Sequence, residues 1–369
     1  MKIGIDASRY QFPTPTGVEV YSNYLIDELQ QIAHKEKSEL LLLSPIKKDI
    51  IESTHISQKI IKGKRLWTLG KLSYAFWKRP KLLDTLFVPS HILPLFLPQR
   101  SIITIHDVAW KHFPKSYSTF QRKLLDFSTK FAVRRASKII AVSYATQKDI
   151  MKFYNCPAEK IEVIHSGFDK EKFLSQIEFE NFQEISGKFH VKKEKYFIYV
   201  GRIEEKKNIP YLIEAFLKSK LSSEWKLVLV GKPGVGFEKI QSQLTSEKSD
   251  RIIVTGYLPN NETYTLVKNA RASLLVSKYE GFGFPLLEAF ALEVPVIASR
   301  IPALEEVGAD VPYFVSPTQM NTLTQAFKVF SLEKYEVEGM IEKGKERLKI
   351  FSWKKCAMET WSILTNKKE

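Results

Sequence analysis

Short runs of aliphatic and β-branched residues alternate with helical periodicity along nearly the whole chain. In the first half, residues 2–7, 40–44, 85–88, 102–106, 138–142 and 161–164 read as strands. After the first of them, Val18, Tyr21, Leu25, Leu29 and Ile32 recur at three- and four-residue spacing, one face of a helix that begins at Gly17. From Phe168 to Lys195 the periodicity fades and charges dominate, which suits a connection between domains. A second alternation follows, with strands at 196–200, 226–230, 251–255, 273–276, 294–298 and 313–315 and helices between them, for example 209–217 and 260–269. The last helix starts near Ser352, an N-cap residue type, and aligns Trp353, Ala357, Trp361 and Leu364 along one stripe. Two such alternations predict an α/β protein of two facing, doubly wound domains, residues 1–180 and 190–350. Ligands of such sheets bind beyond the carboxyl ends of the strands.

Size and composition agree with this division. A chain of 369 residues is too long for one ordinary core, and its 44% hydrophobic and 26% charged residues are those of a globular protein. No apolar run approaches the ~20 residues that cross a bilayer. Lys2 leads straight into the first apolar run, without signal-peptide architecture. Cys156 and Cys356 lack metal-ligand spacing and cannot form a disulfide framework, so a cytoplasmic location is expected.

The net charge of +15 favours anionic partners, whether nucleic acid, acidic lipid headgroups or phosphorylated small molecules. Its distribution is uneven. From Lys59 to Leu83 there are eight Lys or Arg residues and no acid, interleaved with Trp67, Tyr74, Phe76 and Trp77. A second basic region runs from Lys111 to Lys138, with Asp126 its only acid.

The most specific chemistry lies in Ser277-Lys278-Tyr279-Glu280-Gly281-Phe282-Gly283-Phe284-Pro285-Leu286-Leu287-Glu288-Ala289, which leaves a strand and opens a helix. Gly281 and Gly283 let backbone approach a ligand, and Pro285 suits a first helical turn. The positive end of the helix dipole then makes an anion site, with Glu280 in the loop and Glu288 about one turn into the helix. A second strand runs into Gly201-Arg202-Ile203-Glu204-Glu205-Lys206-Lys207-Asn208, where a guanidinium and an ammonium on one loop can both reach a pyrophosphate. The sequence has no Asp-x-Asp pair of the kind that holds a divalent ion over a departing diphosphate.

These segments resemble glycosyltransferase family 4, and the likeness extends from Ile3 to the last helix. The resemblance implies the GT-B fold, two Rossmann-like domains across a deep cleft, and transfer from a nucleotide diphosphate sugar with retention of configuration and no metal cofactor. Glu280 and Glu288 match its Glu-x7-Glu motif, so Glu280 is expected on the donor sugar and Glu288 on the ribose. Gly281, Phe282, Gly283 and Phe284 would hold sugar and phosphate, and Arg202 and Lys207 the diphosphate. Thr14-Pro15-Thr16-Gly17 resembles the family's glycine loop, with Gly17 at the matched position. His106 would position the donor, Asp107 being as well explained by local hydrogen bonding. Ser166-Gly167-Phe168-Asp169 resembles the hinge segment, or is an ordinary turn. The loops at Gly231-Lys232-Pro233 and Gly256-Tyr257-Leu258 are expected near the base, with Tyr257 packing or stacking. The closing segment Phe351-Ser352-Trp353 implies that helix 352–369 returns to complete the first domain.

The expected activity is therefore transfer of a hexose, with mannose as the leading candidate, from a GDP- or UDP-linked donor to a glycan or lipid-linked acceptor in cell-surface polysaccharide or glycolipid synthesis. Lys62, Lys64, Arg65, Lys71, Lys78 and Arg79, with Trp67 and Trp77, would hold the enzyme to the anionic inner face of the cell membrane, the other reading being a solvated basic face. Two further functions stay open. A sugar-nucleotide epimerase can share the architecture, and a basic nucleic-acid-binding protein would share the charge, although no zinc finger, aromatic RNA-binding signature or basic zipper is recognisable.

Overall fold

The computed structural model describes residues 1–13, 16–244, 249–332 and 337–366. Its strands form two wholly parallel sheets. The first contains β1 (Lys2–Asp6), β2 (Glu39–Ser44), β3 (Ile56–Ile60), β4 (Thr85–Val88), β5 (Arg100–Ile105), β6 (Lys138–Ala141) and β7 (Ile161–Val163), in the order β3-β2-β1-β4-β5-β6-β7. The second contains β8 (Tyr196–Val200), β9 (Lys226–Val230), β10 (Ile252–Gly256), β11 (Ala272–Leu275), β12 (Val296–Ser299) and β13 (Tyr313–Val315), in the order β10-β9-β8-β11-β12-β13. Central strands such as Ile3-Gly4-Ile5 and Phe197-Ile198-Tyr199 are buried, as apolar runs covered by helices on both faces must be. The strand order reverses between β1 and β4 in one sheet and between β8 and β11 in the other. Loops leaving these strand ends flank each sheet's ligand position.

The chain divides into two compact units, one of Met1–Gly167 with Phe351–Glu369 and one of Phe168–Ile350. The segment that composition marks as a connection begins the second unit. It forms helices Lys170–Ser175 and Phe182–Phe189, the first N-capped by Asp169, which accepts from the Lys172 amide at 2.9 Å. Ile177, Ile185 and Val191 bury against Tyr196, Ile198 and Val228. Tertiary burial, not local periodicity, orders this stretch, and it shifts the division from the expected 180–190 to Gly167. The edge strand β3 also went unread. Its Ser57-Gln58-Lys59 centre is polar because an edge strand is only half covered.

The helix Trp353–Thr365 lies against helix Gly17–Glu36 in the first unit. Ser352 caps it, accepting from the Lys355 amide at 3.3 Å. Trp353 stacks on Tyr24 with ring centroids 5.3 Å apart, and Trp361 Nε1 donates to Glu36 at 3.1 Å. Residues 367–369 of the expected helix lie outside the described residues.

The chain leaving the first unit crosses the chain re-entering it at one glycine. A Cβ on Gly167 would sit 2.2 Å from the Trp353 backbone nitrogen, so the crossing needs a residue without a side chain. Gly167→Ala is expected to destabilise the first unit by about 1–3 kcal/mol, the usual cost of forcing atoms into packed space. Denaturant unfolding that tracks each unit separately would show this, and an unchanged first-unit transition would mean that the crossing yields freely.

Candidate active site

In the second sheet, β8 and β11 are neighbours paired Ala272 to Phe197 and Ser273 to Ile198. Their outgoing loops therefore start side by side. The loop after β8 turns at Gly201, whose amide donates to Val230 at 2.9 Å, and the Gly231 amide donates to Gly256 at 2.8 Å. A Cβ on Gly231 would fall 1.8 Å from the Gly201 carbonyl oxygen, so these two strand ends pack backbone on backbone. Tyr199 donates its hydroxyl to the Arg202 carbonyl at 2.9 Å and fixes the turn, while the Arg202 side chain is exposed. Among the described residues no carboxylate pairs with it.

The turn Glu205–Lys207 ends at Asn208, which adopts a left-handed φ of 64°, is buried, and donates to the Pro317 carbonyl at 2.9 Å. This delivers Lys207 to the loop after β11. Its ammonium donates to both oxygens of Glu280, at 2.7 and 2.9 Å. Ser277 Oγ donates to the same carboxylate at 2.6 Å, and the Lys278 amide to the Lys206 carbonyl at 3.3 Å. Lys206 itself turns to Glu204 at 3.3 Å. Lys207 and Glu280, expected on separate parts of a ligand, are thus paired with each other, and their side chains are only 23% and 14% exposed. An ammonium has three N–H donors, and two are committed here.

Gly283 caps helix Phe284–Ala291 at φ 112°, a conformation open to glycine and strained for other residues. Pro285 sits in the first turn, no side chain caps the helix, and Phe282 meets Phe284 edge-on at 5.3 Å. The positive end of this helix points along the Glu280 loop. Glu288 lies further along the same helix. Burial pushes its carboxyl up to about 7, a hydrogen bond with Tyr264 acting the other way. Tyr264 stands on helix Asn260–Lys268, which follows β10. Lys232 and Tyr257, beyond β9 and β10, meet through the ammonium 4.6 Å from the ring centroid, and Tyr257 is 63% exposed. Tyr257 is a surface ring, not a packing residue.

In the first unit, Thr16 caps helix Gly17–Glu36 in a capping box with Glu19, and Arg9 pairs with Glu19 at 2.8 Å. Thr14 and Pro15 of the expected glycine loop lie outside the described residues. Tyr21, one turn into that helix, meets the His106 ring edge-on at 4.7 Å, and His91 lies 5.3 Å away on the other loop. His106 Nε2 is 3.0 Å from the Pro89 carbonyl. A carbonyl only accepts, so the proton is assigned to Nε2. Burial, with His91 nearby, pushes the imidazole down to about 3. The ring is neutral at physiological pH, and its Nδ1 is left as an acceptor for a hydroxyl. Such a group is a hydrogen-bond acceptor and a weak base. Asp107 accepts from the Ala109 amide at 2.8 Å, the local role that its position suggests.

One residue of the basic stretch is misplaced by the sequence reading. Trp67 is 6% exposed, joins the core with Leu72 and Phe76, and donates Nε1 to the Ile61 carbonyl at 2.6 Å. Lys64, Arg65, Lys71, Trp77, Lys78 and Arg79 are exposed. Ser277, Tyr264 and His91 are additions from the structure. Ser277 carried a signal, three residues before Glu280 on the same loop, whereas Tyr264 and His91 meet their partners only through the fold. Among the described residues no three His, Cys, Asp or Glu side chains gather as metal ligands.

Residues 15–172 match the family model described as Glycosyltransferase Family 4, and residues 181–347 that described as Glycosyl transferases group 1. The O-antigen chain mannosyltransferase RfbU of Salmonella typhimurium is 28% identical over 330 residues, covering 85% of this chain and 86% of its own. O-antigen chain mannosyltransferase B of Escherichia coli is 25% identical over 275 residues, 74% of this chain and 71% of its own. Among solved structures, sucrose-phosphate synthase from Thermosynechococcus elongatus superposes with a TM-score of 0.75 at 18% identity, covering 99% of this chain and 98% of that one. Anabaena HepE in complex with UDP and glucose gives 0.73 at 17% identity, over 99% and 100%. With two parallel, doubly wound sheets and both family models matched in succession, the chain belongs to the GT-B glycosyltransferases, a family 4 region followed by a group 1 region.

Proposed function

We propose that the protein transfers mannose from a GDP-linked donor, with retention and without a metal ion, to a glycan or lipid-linked acceptor in cell-surface polysaccharide synthesis. The observation that carries the reading is the Lys207–Glu280 pair, built on adjacent strand ends where the second sheet reverses its order, with Arg202 on the same loop as Lys207. The mannosyl group and the polysaccharide context are supported by the two O-antigen chain mannosyltransferases. UDP-glucose, present in a HepE structure, is the competing donor. A cytoplasmic enzyme at the membrane surface would meet such an acceptor directly.

The chemistry follows from the donors and acceptors in place. As the glycosidic bond breaks, negative charge grows on the leaving diphosphate. The Arg202 fork, the remaining Lys207 N–H and the positive end of helix Phe284–Ala291 are fixed donors for that charge. Glu280, held by Lys207 and Ser277, keeps one orientation for accepting sugar hydroxyls. A carboxylate engaged by three hydrogen bonds is a poor nucleophile, which favours a front-face route in which a donor phosphate oxygen takes the acceptor proton. His106 contributes an acceptor nitrogen for a sugar hydroxyl, and Gly17 marks the matched glycine loop.

Glu280→Ala and Lys207→Ala are each expected to lower turnover at least about ten-fold, equivalent to ~1.4 kcal/mol in barrier. Steady-state transfer from GDP-mannose, with UDP-glucose as comparison, measures this. Near-normal turnover by both folded variants would remove the assignment, and transfer from UDP-glucose alone would replace the donor. A second expectation concerns pH. Ribose hydroxyls donate to a carboxylate, so the nucleotide selects deprotonated Glu288, whose carboxyl lies at about 7. This group alone strengthens binding about ten-fold between about pH 6 and about pH 8. Comparison with Glu288→Gln by calorimetry isolates that contribution from the phosphate's own titration, and parallel profiles for the two proteins would show that Glu288 does not face the ribose.

A further inference from the structure

We propose that the first unit docks on an anionic bilayer by inserting an aromatic ridge of Tyr74, Trp77 and Phe96 to headgroup depth, with Leu95 at its edge. The proposal deepens the membrane-surface reading above and rests on it for the acceptor, but not for the docking itself.

The ridge is a consequence of how its two segments fold. The turn Thr68–Leu72 runs straight into helix Ser73–Lys78, and Leu72 and Phe76 are drawn into the core. Tyr74 and Trp77 are thereby turned outward. A second segment comes alongside, because the Leu95 amide donates to Ser73 Oγ at 2.8 Å. Phe96 on that segment lies 6.5 Å from Trp77, and Tyr74 lies 5.7 Å from Trp77. All three rings are at least half exposed, Trp77 at 58% and the other two at 50% each, and Leu95 is 43% exposed. Contiguous apolar surface of this kind is unfavourable in water and marks an interaction site. Tyrosine and tryptophan, apolar bodies with one polar atom, favour the membrane interface.

The charge around the ridge selects the partner. Lys62, Lys64, Arg65, Lys71 and Arg79 are exposed, and among the described residues none of them meets a carboxylate. Lys78 lies over the Tyr74 ring, its ammonium 4.9 Å from the centroid. Elsewhere lysines find acids, as Lys138 does with Glu162 at 2.6 Å. By contrast, burial and the like charges of Arg79 and Lys2 push the Lys59 ammonium down. An uncompensated basic rim around an apolar centre is complementary to anionic headgroups over acyl chains. The Leu95 and Phe96 side chains offer no hydrogen bonds to a nucleic acid, and a second copy of the chain would bring the same positive charge against it. No helix of the described residues is long and apolar enough to cross a membrane, so the contact is of the surface-lying kind.

The molecule carries its own reporter. Trp77 is exposed, whereas Trp67, Trp110, Trp225, Trp353 and Trp361 are 2–6% exposed. Vesicles of phosphatidylcholine alone and of equal parts phosphatidylcholine and phosphatidylglycerol are titrated onto the full chain. Flotation gives the bound fraction, and quenching of tryptophan emission by brominated lipid gives depth. Binding is expected with the anionic vesicles, with quenching that disappears in Trp77→Phe. Trp77→Ala with Phe96→Ala is expected to weaken binding at least about ten-fold. Lys71→Gln with Lys78→Gln is expected to weaken it about 25-fold, two basic residues at ~5-fold each.

Equal binding to neutral vesicles, no binding to either, or binding without Trp77 quenching would overturn the proposal. So would concentration-dependent dimerisation, or oligonucleotide binding, that is lost in Trp77→Ala while vesicles are ignored. Thermal shift by GDP on the same proteins separates the two readings. Lost vesicle binding with normal GDP binding removes the docking surface alone, and the reverse removes the donor-site reading alone.

Discussion

The Lys207–Glu280 ion pair is the constraint on which the site is organised. It ties the loop leaving β8 to the loop leaving β11, where two neighbouring strands send their chains to opposite sides. A pair so largely covered must be well hydrogen-bonded to hold, because removing one partner leaves the other charge uncompensated. The second oxygen contact, the Ser277 hydroxyl and the Lys278–Lys206 backbone bond supply that support. The carboxylate is therefore held in one orientation, and the ammonium keeps one donor to spare. Arg202, on the same loop as Lys207, is exposed and meets no carboxylate among the described residues.

A similar economy governs the first unit. His106 is neutral because it is buried, and its tautomer is set by one carbonyl, so a single hydrogen bond decides which nitrogen is left as an acceptor. Tyr21 braces that ring from the helix after Gly17, and the same tyrosine touches Trp353 of the returning helix at 5.8 Å. The C-terminal helix thus supports the residues that support the histidine. The absence of a side chain at Gly167 allows that helix to come home.

Much of this was legible in the residues, and the failures have identifiable causes. Parallel strands buried on both faces write themselves as apolar runs, which is why β8 to β13 were all readable. The edge strand β3 is half solvated and was not. Residues 168–195 read as a connection because the helices that form there bury only a few side chains each, a signal too thin for periodicity. The Glu280 loop announced itself through Gly-Phe-Gly-Phe-Pro between two acids. Its pairing with Lys207, 73 positions earlier, is a product of strand adjacency that no local pattern carries. Trp67 shows the same limit from the other side. Composition groups it with Trp77, and the turn Thr68–Leu72 and the helix Ser73–Lys78 separate them, one into the core and one to the surface.

What unites these particulars is a claim about charge, namely that fixed protein donors at two strand ends and one helix end receive a diphosphate without help from a divalent ion. Calorimetric titration of GDP and GMP in excess chelator tests it most directly. The account predicts that GDP binds at least about ten-fold more tightly than GMP, and that Arg202→Ala erases the difference. Equal affinities, or GDP binding that appears only when magnesium is restored, would contradict it.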